Sequence, residues 1–152
     1  MPAMPRILSA LFAVMTFAAC AAPSARDPDA GDAVATVRAL IAADQRRDLD
    51  AALRCYSDDV VWLPPNAAEV RGRDVIAARY RTMFAAYDPR LDVDVVEHRA
   101  TGDLAFVRGV THGELRPRGA SDAVAVHDAF VALLRRADDG WRITHLIWHP
   151  TP

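Results

Sequence analysis

Asp122-Ala-Val-Ala-Val-His-Asp-Ala-Phe-Val-Ala-Leu-Leu-Arg-Arg136, the turn Ala137-Asp138-Asp139-Gly140, and Trp141-Arg-Ile-Thr-His-Leu-Ile-Trp-His149 form the stretch that decides the fold. Two long runs rich in β-branched and aromatic residues, split by a turn-forming tetrapeptide, predict a hairpin. Side chains alternate along a strand, so Val124, Val126, Asp128, Phe130 and Leu134 are expected on one face. By the same alternation Trp141, Ile143, His145 and Ile147 share a face on the second strand. A mostly apolar surface carrying one carboxylate and one imidazole predicts the floor of a pocket.

Working outward, Leu104 to Arg116 and Leu91 to Ala100 predict two further strands, with Pro117-Arg118-Gly119 and Gly102-Asp103 as turns. Ahead of them, Ile76, Tyr80, Met83, Phe84 and Tyr87 recur at helical spacing, and Asp88-Pro89 closes that helix. Val60-Val61-Trp62-Leu63 predicts a short strand stopped by Pro64-Pro65. Ser57-Asp58-Asp59 ends a short helix carrying Leu49, Ala52, Leu53 and Tyr56. Val34, Val37, Leu40 and Ile41 mark a first helix, and Asp44 to Asp48 is its polar end. Helices first and strands after predict an α+β domain, three N-terminal helices packed on one face of a curved antiparallel sheet. At 152 residues one domain is expected. A net charge of −2 without a Lys/Arg cluster argues against nucleic acid as a partner.

The N-terminus belongs to targeting. Arg6 precedes the apolar run Ile7 to Ala19, too short to span a bilayer but suited to a signal-peptide core. Residues 1–19 are expected to be the signal peptide and 20–30 a tether rich in Pro, Ser, Asp and Gly. Phe17-Ala18-Ala19-Cys20 resembles the lipobox of bacterial lipoproteins, with Phe17 where Leu is usual. Lipidation of Cys20 would anchor the protein in the periplasm, the only membrane contact expected; a plain secretory signal cleaved after Ala21 is the alternative. Cys55 then has no intramolecular partner and is expected to be a small buried hydrophobe.

Asp48-Leu49-Asp50-Ala51-Ala52, Tyr56-Ser57-Asp58-Asp59-Val60-Val61-Trp62-Leu63-Pro64-Pro65, Gly72 and Gly140-Trp141-Arg142-Ile143 together resemble the SnoaL-like proteins. More narrowly they resemble exported members related to the calmodulin-kinase association domain, within the nuclear-transport-factor-2-like superfamily. The resemblance covers residues 31–150, the whole mature domain. It implies a cone-shaped fold with a conical cavity between helices and sheet, and a homodimer through the outer sheet face. Its functions range over isomerases, dehydratases, cyclases and non-catalytic modules, so the site must be argued from its own residues. Set against the ketosteroid isomerases of that superfamily, the base position falls at Pro64 and the tyrosine position near Leu40. Only the protonated-acid position is kept, at Asp128, so that isomerase mechanism is not expected.

What remains is Asp128 and His145 as an acid/base pair, since a carboxylate beside an imidazole in an apolar cavity suits proton transfer near neutrality. Arg108 and His112 share parity with Leu104, Phe106 and Val110, which places them on the expected inner face. Trp62 and Tyr80 are expected as the opposing wall. A buried Asp128 must pair, with Arg108 or His145, or stay protonated. The histidines lack ligand-pair spacing, so neither metal nor cofactor is expected.

Two functions stay open. One is a cell-envelope pocket protein for a small, largely apolar or aromatic molecule; any enzyme of this kind would be isomerase- or lyase-like. The other is a non-catalytic dimerisation or interaction module, its cavity filled by Trp62, Tyr80 and Phe106.

Overall fold

The computed structural model describes residues 28–119 and 121–151. Cys20 and the expected signal peptide lie outside them. Three helices, α1 (Pro28–Arg46), α2 (Leu49–Arg54) and α3 (Arg73–Ala86), pack on a six-stranded sheet. The strands are β1 (Tyr56–Leu63), β2 (Val70–Arg71), β3 (Tyr87–Thr101), β4 (Leu104–Pro117), β5 (Val124–Ala137) and β6 (Gly140–Pro150). Their order across the sheet is β2-β1-β6-β5-β4-β3.

The architecture is α+β, and the sheet is mixed rather than wholly antiparallel. β1 runs parallel to β6, pairing Trp62 with Leu146 and Leu63 with Ile147, while every other neighbour is antiparallel. The crossover between β1 and β6 contains β2, α3 and β3 to β5, a long connection of the kind parallel pairing requires.

Local chemistry explains the helix ends. Asp48 caps α2, its carboxylate accepting from the Ala51 amide at 2.9 Å. The second helix is shorter than its apolar spacing predicts. It stops at Arg54, and Tyr56 opens β1 because its ring belongs to the core, 1% exposed, rather than to a helix flank. Tyr87 likewise leaves α3 and starts β3. The two-residue β2 has no signal of its own; it is held by pairing with Val61 and Trp62.

Side-chain size on β4 sets the bend. Its concave face carries Ala105, Val107 and Gly109, all buried. A Cβ at Gly109 would stand 2.3 Å from the Asp94 carbonyl oxygen and 2.9 Å from the Phe130 ring. Only glycine lets β3 and Phe130 approach this closely. The core beneath is closed by Tyr56, Val60, Ile76, Val107, Leu134, Trp141 and Ile143.

Candidate functional site

Between α1, α3 and the concave sheet lies a cavity of about 360 Å³. Helix α1 contributes Val37, Leu40, Ile41 and Asp44; α3 contributes Arg79, Tyr80 and Met83. Tyr56 and Trp62 of β1 and Leu91, Thr111, Leu115, Val126, Asp128, Phe130, Ala132, Ile143, Leu146 and Trp148 of the other strands line the rest of it. A volume of this size suits a small organic molecule and exceeds what a filled core leaves.

Trp62 and Tyr80 line the cavity, and Asp128 faces into it. Phe106 does not close the cone; it pairs with Leu133 on the convex side. His145 is placed differently from the alternation of β6. Ile143 pairs with Leu134 and His145 with Leu133, so Thr144 is an extra residue, a β-bulge. One inserted residue reverses the parity of everything beyond it. Trp141 and Ile143 are buried on the concave side, and Leu146 and Trp148 take over that face. His145, Ile147 and His149 are turned to the convex side. The Nδ1 atom of His145 is 3.1 Å from the Thr144 hydroxyl, and its charge acts on Asp59. It forms no pair with Asp128.

Arg108 and His112 also stand on the convex face. Arg108 pairs with Glu97 at 3.4 Å and His112 with Asp94 at 3.1 Å. Around Gly109 their strand carries Phe106 and Val110 outward, because the tight bend there admits only small residues inward. Hydrophobicity alone therefore points to the wrong face of β4.

The group that takes the place of His145 is Asp44. It falls on the buried stripe of α1, at helical intervals from Ala33, Val37 and Leu40. A carboxylate in register with an apolar stripe is the signal that marks it in the sequence. Asp44 is 7% exposed, and its Oδ1 is buried without a hydrogen-bond partner. Desolvation drives its pKa up to about 7, with the Tyr80 hydroxyl opposing this by stabilising the anion. Tyr80 and Tyr56 hold their hydroxyls 3.1 Å apart, and burial raises both phenol pKa values well above normal. Trp62 stacks edge-on against this group, 5.8 Å from Tyr56, 5.4 Å from Tyr80 and 5.5 Å from Trp148.

Asp128 is half-buried on the floor. Desolvation raises its pKa, countered by the charges of His127 and His149. Two acids of shifted affinity thus look into one apolar space. Pro64 and Leu40 line the same space.

The SnoaL-like domain family matches residues 37–146, most of the chain and every residue lining the cavity except Trp148. The chain belongs to the SnoaL-like family. Solved structures of similar fold include a ketosteroid isomerase-like protein from Erwinia carotovora atroseptica, 24% identical with a TM-score of 0.73, covering 82% of this chain and 98% of that one. A Thiobacillus denitrificans protein, provisionally described as a calcium/calmodulin-dependent protein kinase type II association domain, is 27% identical with a TM-score of 0.63. The alignment covers 78% of the SnoaL-like chain and 94% of that neighbour. A provisionally described dehydratase of the NTF2-like family from Streptomyces avermitilis is 18% identical with a TM-score of 0.72, over 84% and 99% of the two chains. No curated protein matches the sequence.

Proposed function

We propose that this SnoaL-like protein binds a small, largely apolar or aromatic molecule in the cavity and that Asp44 and Asp128 act on it by acid/base chemistry. The observation that carries the reading is the Asp44 carboxyl, buried at the cavity wall with Oδ1 unpartnered. An unsatisfied buried carboxyl costs about 1 to 3 kcal/mol or more, which a ligand group would recover. An acid titrating near 7 exchanges protons readily at physiological pH. In such a step one carboxylate takes a proton from the ligand while the other, as carboxylic acid, returns one to a second atom. No net charge is made, which is the pattern of an isomerase- or lyase-like reaction. Neighbours named for isomerase and dehydratase types are consistent with it. Calorimetric titration with 2-naphthol tests the binding. Saturable uptake that disappears in Ala132→Leu, which adds bulk to the cavity wall, supports the reading. Absence of uptake, or uptake indifferent to that substitution, contradicts it.

The convex sheet face favours a second copy of the chain as partner. Leu133 and Ile147 are each 41% exposed there, beside Phe106. Burying them in a homodimer leaves the cavity open. Sedimentation of Leu133→Glu against wild type tests it: a monomeric variant of a dimeric parent is expected. The apolar run ending at Ala19-Cys20 supports export with a lipid on Cys20. Cys20→Ala should move the protein from the membrane to the soluble envelope fraction.

A further inference from the structure

The charges around the cavity are one-sided. Its acidic lining residues are Asp44 and Asp128, and its basic one is Arg79, an exposed residue at the rim. The titratable groups around Asp44 and the cavity are Tyr80 and Arg79 from α3, Cys55 at the end of α2, Tyr56 from the start of β1, and Asp128 from β5. Among the described residues, β3, β4 and β6 contribute no titratable side chain to the lining. Arg47, just past the end of α1, is committed to Asp88 at 3.1 Å, and Arg38 reaches the Val93 carbonyl oxygen at 3.5 Å. Among the described residues, no cation forms an ion pair with the Asp44 carboxylate.

Aromatic rings surround the same spot. Tyr56, Trp62, Tyr80 and Trp148 form a connected cluster, with Trp62 touching the other three. Electron-rich ring faces attract a positive charge, most strongly when water is excluded. An anionic group without a cationic partner, set among aromatic rings and backed by aliphatic walls, is what a protonated amine on a hydrocarbon body requires.

Resting on the cavity reading above, we propose that the ligand is a small organic cation: an aromatic or alicyclic amine whose ammonium group sits against Asp44 Oδ1 beside Trp62 and Tyr80. Asp44, in its carboxylate form, then also serves as the charge anchor, and Asp128 supplies the carboxylic acid of the pair. The Tyr80 hydroxyl donates to the ionised Asp44, and Tyr56 donates to Tyr80, so the pair is ordered without another cation. Binding an already protonated amine takes the carboxylate form of Asp44. Below neutrality, where free Asp44 is protonated, each binding event releases one proton to solvent.

The test compares 2-phenylethylamine with its neutral isostere 2-phenylethanol by calorimetry in buffers of different ionisation enthalpy. At about pH 8 the amine should bind at least about tenfold more tightly than the alcohol. That advantage should shrink as pH falls through about 7, with proton release appearing at about pH 6. Asp44→Asn should erase the advantage of the amine over the alcohol. The wild-type pH dependence stands as a test even if Asp44→Asn does not fold. Equal or tighter binding of the alcohol at about pH 8 would overturn the cationic ligand and leave the cavity reading in place. An amine advantage that survives Asp44→Asn would overturn the anchor. Binding of neither probe would overturn both readings.

Discussion

The hydroxyls of Tyr56 and Tyr80 lie 3.1 Å apart in the cavity wall, joining strand β1 to helix α3 next to the buried Asp44 carboxyl. Each ring is at least 96% buried, so the hydroxyls depend on one another and on Asp44 for hydrogen bonds. The Tyr80 interaction favours the ionised form of Asp44. Tyr80→Phe therefore removes support that matters only where Asp44 is charged. The loss should be about 1 kcal/mol at about pH 5, from the orphaned Tyr56 hydroxyl, and larger above about pH 8. Urea denaturation at the two pH values measures the difference.

Asp44 sets the pH dependence of stability. Its folded pKa, about 7, lies above the ordinary 3.8, so between these values the folded state binds the extra proton. Stability contributed by this site is full below about 3.8 and declines as pH rises through about 7. The whole decline is up to about 4 kcal/mol. Asp44→Asn, nearly the same shape and uncharged, should melt higher than wild type at about pH 8, by less at about pH 5, and close to it only below about pH 3.8. Thermal melts across that range decide it.

Deleting Thr144 should remove the bulge and leave the faces of β6 as they are, since Ile143 and His145 become neighbours and keep their partners Leu134 and Leu133. Inserting an alanine after Thr144 should instead turn the strand over, sending Leu146 and Trp148 out of the cavity and His145 and Ile147 into it. The expected result is cooperative unfolding with a shielded Trp148 in the deletion, and loss of cooperativity with red-shifted Trp148 fluorescence in the insertion.

Much of the fold was open to reading from local signals. The hairpin around Gly140, the strands on either side of Gly102 and the apolar stripes of α1 and α3 each rest on periodicity over many residues, which tertiary contacts reinforce. The parallel pairing of β1 with β6 joins segments far apart in sequence and leaves no local trace. Asp128, Trp62 and Tyr80 could be placed because they obey simple alternation or helical spacing. His145 could not, since the bulge at Thr144 is a property of the pairing with Leu133 and Leu134 rather than of the residues themselves. Arg108 and His112 were drawn to the wrong face by Leu104, Phe106 and Val110, when the bend at Gly109 had reserved the inner face for small side chains. Asp44 did have a signature, its register with Leu40, hidden by the polar residues that follow it.

Gly109→Ala tests that bend directly. The added methyl group meets the Asp94 carbonyl oxygen, a backbone atom that cannot swing aside, as well as the Phe130 ring. The expected cost is about 2 to 4 kcal/mol, seen as a lowered urea midpoint, with the cavity floor displaced.

The most direct measurement is the carboxyl carbon resonance of Asp44, assigned by its loss in Asp44→Asn, followed from about pH 3 to about pH 9 in the ligand-free protein. A midpoint near 7 is predicted, moving sharply downward when 2-phenylethylamine is bound. A midpoint close to 3.8, unmoved by the amine, would mean that Asp44 is solvated or already paired, and would contradict both the buried acid and the site built on it.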